Sequence, residues 1–236
     1  MKKTLSILLA AATSMEWEPT RTFLREKADH FGGEFYQFGP LHIQLLETGP
    51  GIPDSTYRLT KVLNQTERPD LVVHAGIAGA FDRSVALGTV FTVGADRFAD
   101  LGAQTADDGF LDLFELGLAD SNQLPYQNAQ LRPIAPDVPL PYLSVASAIT
   151  VNTVSGAETR ISWLHDRYPV DLESMEGAAV FYVCNREEVP ALALRAVSNY
   201  VEPRNREAWE MGLAIRNLND ALCQWLQELC LWVGDH

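Results

Sequence analysis

Short apolar runs recur at residues 5–12, 71–75, 142–148 and 191–197. Runs of this length suit strands covered on both faces, the arrangement of a mostly parallel sheet. Between them apolar positions fall at helical spacing, which predicts helices at about residues 19–30, 55–64, 157–165 and 176–187. This alternation predicts one α/β domain over residues 1–236, with helices flanking a central mixed, mostly parallel β-sheet. Two further segments, 34–38 and 41–47, are split by Gly39-Pro40, which reads as a tight hairpin turn and makes part of the sheet antiparallel. Periodicity fades over residues 100–141, the expected long excursion. Met211, Ile215, Leu218, Leu222, Trp225, Leu229 and Trp232 alternate in steps of four and three. That stripe predicts an amphipathic helix packed on its own sheet in preference to a coiled-coil seam.

Charge narrows the class of partner. Eighteen Lys and Arg against 31 Asp and Glu leave the 236-residue chain at −13. Such a surface repels phosphate backbones and anionic lipids, so nucleic acid and membrane are not expected partners and a small molecule is. Lys2 and Lys3 before the first apolar run mimic a signal peptide, but the run also reads as a first buried strand of a cytoplasmic protein. Three cysteines, an odd number, favour the second reading because they suit reduced thiols.

Ligands of open α/β sheets bind beyond the carboxyl ends of strands, so polar residues just after the apolar runs are the first candidates. Four stations qualify: Thr13-Ser14-Met15-Glu16 with Glu18, then Gly76-Ile77-Ala78-Gly79, then Glu173-Ser174-Met175-Glu176-Gly177, and last Ser198-Asn199. Gly76 and Gly79 do not make a dinucleotide fingerprint and by themselves mark a tight turn. The five histidines are scattered, and neither H-E-x-x-H nor C-x-x-C occurs, so no metal and no cofactor is expected. G-x-S-x-G and the P-loop pattern are likewise missing from the sequence.

Taken together, the stations resemble the purine nucleoside phosphorylase and nucleosidase superfamily over nearly the whole chain. The matching segments are residues 5–16, 70–79, 173–179 and Arg195-Ala196-Val197-Ser198-Asn199. Within that superfamily, residues 76–81, 99–103, 151–156 and 198–206, with Trp209, are most similar to the futalosine hydrolase family. The resemblance implies a nucleoside phosphorylase-like fold and hydrolysis of the N-glycosidic bond of futalosine, releasing hypoxanthine on a route to menaquinone. It also implies a homo-oligomer.

The same resemblance assigns roles. Glu176 would grip the ribosyl hydroxyls, and Met175 would pack under the sugar. Glu16 would orient and deprotonate the attacking water, with Glu18 as the alternative two residues on. Asn199 would meet the departing base, and Gly76, Ile77 and Val151 would lie against the substrate. Arg195 matches a basic residue near water in nucleosidases and near phosphate in phosphorylases. Arg204 and Arg206 are candidates to pair with the substrate's carboxylate, since a guanidinium can do so bidentately. No glycine-rich, arginine-containing loop follows the first strand, which favours water over phosphate as the acceptor. Ile77 departs from the hydroxyl residue that methylthioadenosine-type nucleosidases carry. The alternatives are a methylthioadenosine/S-adenosylhomocysteine nucleosidase, a purine nucleoside phosphorylase, or a nucleoside-binding protein without activity.

Overall fold

The chain was analysed as a computed structural model that describes residues 4–65, 67–107 and 109–235. Its first strand, β1 (Leu5–Ala11), ends in a single 3-10 turn, Ser14–Glu16, that leads into helix α1 (Glu18–Lys27). The short strand β2 (Asp29–His30) and the hairpin of β3 (Phe35–Phe38) and β4 (Leu41–Glu47) follow, with Gly39 at φ +59° in the expected turn. Next come α2 (Gly51–Leu63), the long strand β5 (Leu71–Ala80) and β6 (Val90–Ala95). Two three-residue strands, β7 (Gly102–Gln104) and β8 (Phe110–Asp112), pair as a separate ribbon inside the excursion. The remainder comprises β9 (Ser144–Thr150), α3 (Glu158–Arg167), β10 (Leu172–Ser174), α4 (Gly177–Arg186), β11 (Ala191–Tyr200) and α5 (Met211–Asp235).

The main sheet runs β10-β9-β6-β11-β5-β1-β4-β3-β2, and β10 also pairs with the far end of β5. Five strands therefore close into a small barrel while the rest remain an open sheet. Pairing is parallel through the centre, between β4 and β1, β1 and β5, and β5 and β11, and antiparallel where β11 meets β6 and β10 meets β5. The mixed sheet expected from the sequence is thus present. Apolar side chains alternate even where both faces are buried: Leu192, Leu194 and Ala196 of β11 pack with the α1 and α5 residues, while Ala191, Ala193 and Val197 pack with those of α2 and α4.

Several boundaries differ from the sequence expectation. β5 continues through Gly76 and Gly79, so these glycines mark strand and no turn. β9 begins at Ser144, and Tyr142 stands fully exposed before it. α2 begins at Gly51, four residues early, and α5 runs on to Asp235. The excursion is pinned by Arg167, whose guanidinium lies over the rings of Phe110, Trp163 and Tyr168 at 5.3–5.9 Å and pairs with Asp112 and Glu115. All three cysteines are free, and among the described residues no helix is long and apolar enough to cross a membrane.

Candidate active site

A cavity of about 300 Å³ opens at the carboxyl ends of the central strands. Its polar lining comes from Thr13, Glu16, Glu173, Ser174, Glu176, Ser198 and Asn199, and its apolar lining includes Ile77, Val154, Met175, Trp209 and Ile215. A larger cleft of about 740 Å³ lies at the amino ends of β1 and β4, by Ser6 and His42. It holds no comparable convergence of carboxylates and sits at the wrong end of the strands for a doubly wound sheet.

Glu16 is buried and its carboxylate is fixed by the backbone around it. One oxygen accepts from the Thr13 amide (2.9 Å) and hydroxyl (3.1 Å), and the other accepts from the Ile77 amide at 3.2 Å. This is a capping box at the end of β1, in which the chain's own turn orients the acid. Gly76 matters here because a Cβ at that position would stand 3.1 Å from the carboxylate. Glu18 points elsewhere: it pairs with Arg21 on α1. The Glu16 carbonyl is held from α5 by the amide nitrogen of Asn219, at 2.9 Å. The Asn219 oxygen in turn accepts from the Thr20 amide and hydroxyl, at 3.1 and 2.6 Å.

Glu176 occupies the residue before α4, and one of its oxygens accepts from the Gly51 amide at 2.7 Å. Burial pushes this carboxyl up from its ordinary range and neighbouring Glu16 pushes the same way, while the Gly51 amide and Arg195 oppose the shift. Gly51 adopts φ +80° and Gly49 φ +79°, conformations that favour glycine, so the Gly49-Pro50-Gly51 turn delivers this donor. The sequence signal for this turn is two glycines around a proline directly after an apolar strand, a pattern that by itself names no function.

Arg195 is 1% exposed and lies behind the cavity wall. Its guanidinium donates to the carbonyls of His74 (3.2 Å) and Leu194 (2.9 Å) and contacts the His74 ring nitrogen Nδ1 at 2.7 Å. Burial and the adjacent arginine hold the His74 imidazole neutral, its pKa well below the usual value. Glu176, Asp96 and Glu16 supply the negative charge facing Arg195. Asp96, at the end of β6, is pushed up to about 7 by burial, against Arg195, the Thr150 hydroxyl and the Arg97 amide. Its carboxylate lies so close to Gly177 that no side chain fits there. Asp96 was missed in the sequence because β6 itself was.

Asn199 donates to the Tyr200 carbonyl at 2.9 Å and accepts from the Ser198 hydroxyl at 2.8 Å. One amide hydrogen and one lone pair remain available toward the cavity. Met175 and Ile77 line the same space. Val151 does not reach it: its side chain is wholly buried with Ala99, Ile149, Leu164 and Tyr168, and Val154 takes the place by the cavity. Arg204 and Arg206 are exposed, the first with its guanidinium 5.8 Å from the ring centre of Trp209 at the rim. Among the described residues no group of three or more His, Cys, Asp or Glu could hold a metal ion.

This fold and this carboxylate-lined site define a nucleoside-processing class. The model of the phosphorylase superfamily matches residues 9–229, and the chain belongs to that superfamily. Within it, a futalosine hydrolase of Streptomyces coelicolor is 38% identical over 173 residues, spanning 69% of this chain and 68% of its own length. A futalosine hydrolase of Acidothermus cellulolyticus is 37% identical over 158 residues, with 64% and 62% covered. The structure of a 5′-methylthioadenosine/S-adenosylhomocysteine nucleosidase from Colwellia psychrerythraea superposes with TM-score 0.73, covering 96% of each chain at 20% identity. That last likeness is one of fold.

Proposed function

We propose that the protein is a futalosine hydrolase, which uses water to cleave the N-glycosidic bond of futalosine and releases hypoxanthine and dehypoxanthine futalosine for menaquinone biosynthesis. The observation that carries this reading is the charge of the cavity lining, which holds three carboxylates and neither Arg nor Lys among the described residues. A phosphate dianion would meet repulsion there, whereas water suits a carboxylate base. In this mechanism Glu176 accepts hydrogen bonds from the ribosyl hydroxyls, and its charge favours the cationic sugar as the bond to the base lengthens. Glu16 takes a proton from the water that attacks C1′. The electron pair of the broken bond passes to the purine, which takes a proton at N7 from solvent water, and the proton held by Glu16 returns to that water and restores the carboxylate. Asn199 donates its free amide hydrogen to the oxo group at position 6 and accepts from N7–H. Arg195, behind the wall, keeps the two carboxylates charged. Arg204, beside Trp209 at the rim, and the exposed Arg206 two residues on meet the distal carboxylate of futalosine. We place the enzyme in the cytoplasm as a homo-oligomer.

Base release from futalosine, inosine and methylthioadenosine tests the assignment. The 6-oxo nucleosides should be preferred at least roughly tenfold in kcat/KM, because an unpaired buried donor or acceptor costs about 1–3 kcal/mol. Asn199→Asp should narrow or invert that ratio, since a protonated aspartic acid can serve a 6-amino base. Arg204→Ala should raise KM for futalosine more than for inosine. Strong native activity on methylthioadenosine would instead favour the methylthioadenosine nucleosidase reading.

A further inference from the structure

His74 interrupts the apolar run of β5, and the mechanism gives it no task. It is 1% exposed, and its register partners on the two flanking strands are Ala10 of β1 and Ala193 of β11, both small and buried. Paired residues of adjacent strands project to the same face, so the imidazole stands in a gap that two alanines leave for it. Two positions on, Gly76 pairs with Arg195. With no side chain at Gly76, the guanidinium lies across β5: a Cβ there would stand 3.4 Å from Arg195 Nη1, 3.5 Å from its Cζ and 3.1 Å from the Glu16 carboxylate. His74 meets the arginine with two acceptors at once, its own carbonyl at 3.2 Å and its ring nitrogen Nδ1 at 2.7 Å.

We infer that His74 is a positioning residue that holds Arg195 over Gly76, where the cation acts on Glu16 and Glu176 without pairing with either. The inference rests on the function proposed above. A guanidinium only donates, so Nδ1 is the bare nitrogen of a neutral ring and Nε2 carries the hydrogen. Burial and Arg195 itself keep the ring uncharged, and Nε2 has no partner among the described residues. The contact with Arg195 is thus the one hydrogen bond the ring makes there. Glu176, Asp96 and Glu16 all act on the guanidinium, Glu176 most strongly, yet among the described residues no carboxylate forms an ion pair with it. Such a pair would occupy the oxygens that accept from the ribosyl hydroxyls and from water. A neutral acceptor restrains the cation and leaves its charge intact. A carboxylate at position 74 would cancel that charge, and an aliphatic side chain would release the guanidinium.

The test compares His74→Leu with His74→Asn. Asparagine places Oδ1 where the ring has Nδ1 and so keeps an uncharged acceptor; leucine puts a methyl group there. In His74→Leu the guanidinium should turn to Glu176, and kcat/KM for futalosine should fall at least roughly tenfold. The acid limb of its pH profile should move to lower pH, because a paired carboxylate is harder to protonate. His74→Asn should restore most of the activity, with the limb in its native place. Near-native turnover in His74→Leu would overturn the inference, and so would an equal loss in both variants with an unmoved limb, the mark of a ring that only fills space. A second arm uses the native protein alone. In ¹⁵N-resolved spectra the His74 ring should show a bare Nδ1 and a protonated Nε2 from pH 6 to 9, and a proton on Nδ1 would also overturn the inference. If the native protein released no base from futalosine, inosine or methylthioadenosine, the functional reading itself would fall, and the spectra would still judge the hold on Arg195.

Discussion

Two glutamates two positions apart have different fates because of what the backbone offers each. Glu16 receives three N–H or O–H donors within 3.2 Å and stays at the cavity wall, whereas Glu18 is taken up by Arg21 on the outside of α1. Glu16→Gln should therefore lower kcat by on the order of 10² to 10⁴ with little change in KM, the range seen when a general base is lost. Glu18→Gln should stay near native turnover. Steady-state kinetics on futalosine decides between them, and collapse in Glu18→Gln with a near-native Glu16→Gln would reverse the assignment.

At the scale of elements, the terminal helix does more than cover the sheet. Asn219 lies four residues beyond Ile215, inside the apolar stripe of α5, and is 1% exposed. Through it α5 grips the Glu16 carbonyl and the first turn of α1 at once. Asn219→Leu would leave the Thr20 amide and the Glu16 carbonyl buried without this partner, at roughly 1–3 kcal/mol for each group. A lowered melting temperature, and a loss in kcat larger than the rise in KM, are the expected results. An unchanged melting temperature would show that the clamp carries nothing.

Legibility in the sequence followed the same physics of burial. β1, β5 and β11 were visible because strands buried on both faces write continuous apolar runs. β6 was not, since Thr92 and Gly94 interrupt its run, and three-residue β10 is too short to leave a pattern. Gly76 and Gly79 suggested a turn; they are strand positions kept bare so that Glu16 and Asn199 can lie against β5. Glu16, Glu176 and Asn199 were found because strand ends announce them. Asp96, Gly51 and Asn219 reach the site only through contacts between distant parts of the chain, which local patterns do not record.

Over the whole molecule, a buried Arg195 is set among three carboxylates, which leaves excess negative charge in the interior of a chain already at −13. Burial pushes Asp96 there up to about 7, from an ordinary aspartate value near 3.8, against the pull of Arg195, and Glu176 adds a smaller push the same way. The folded state binds more protons than the unfolded one between those values, so this group's contribution to stability is present at low pH and lost as pH rises toward and through 7. Asp96→Asn should remove that dependence. Its melting temperature relative to the native protein should rise as pH goes from 5 to 8, and a difference independent of pH would contradict the shift. The lining of the cavity itself bears on the chemistry more directly, because three carboxylates and neither Arg nor Lys among the described residues face the substrate, which favours water over phosphate as the acceptor. Hypoxanthine release from futalosine, followed in ¹⁸O-labelled water while phosphate is raised from none to large excess, measures that choice. A rate independent of phosphate, with ¹⁸O on C1 of the released sugar, is the result expected of a hydrolase. A rate that needs phosphate and yields the sugar 1-phosphate would contradict it.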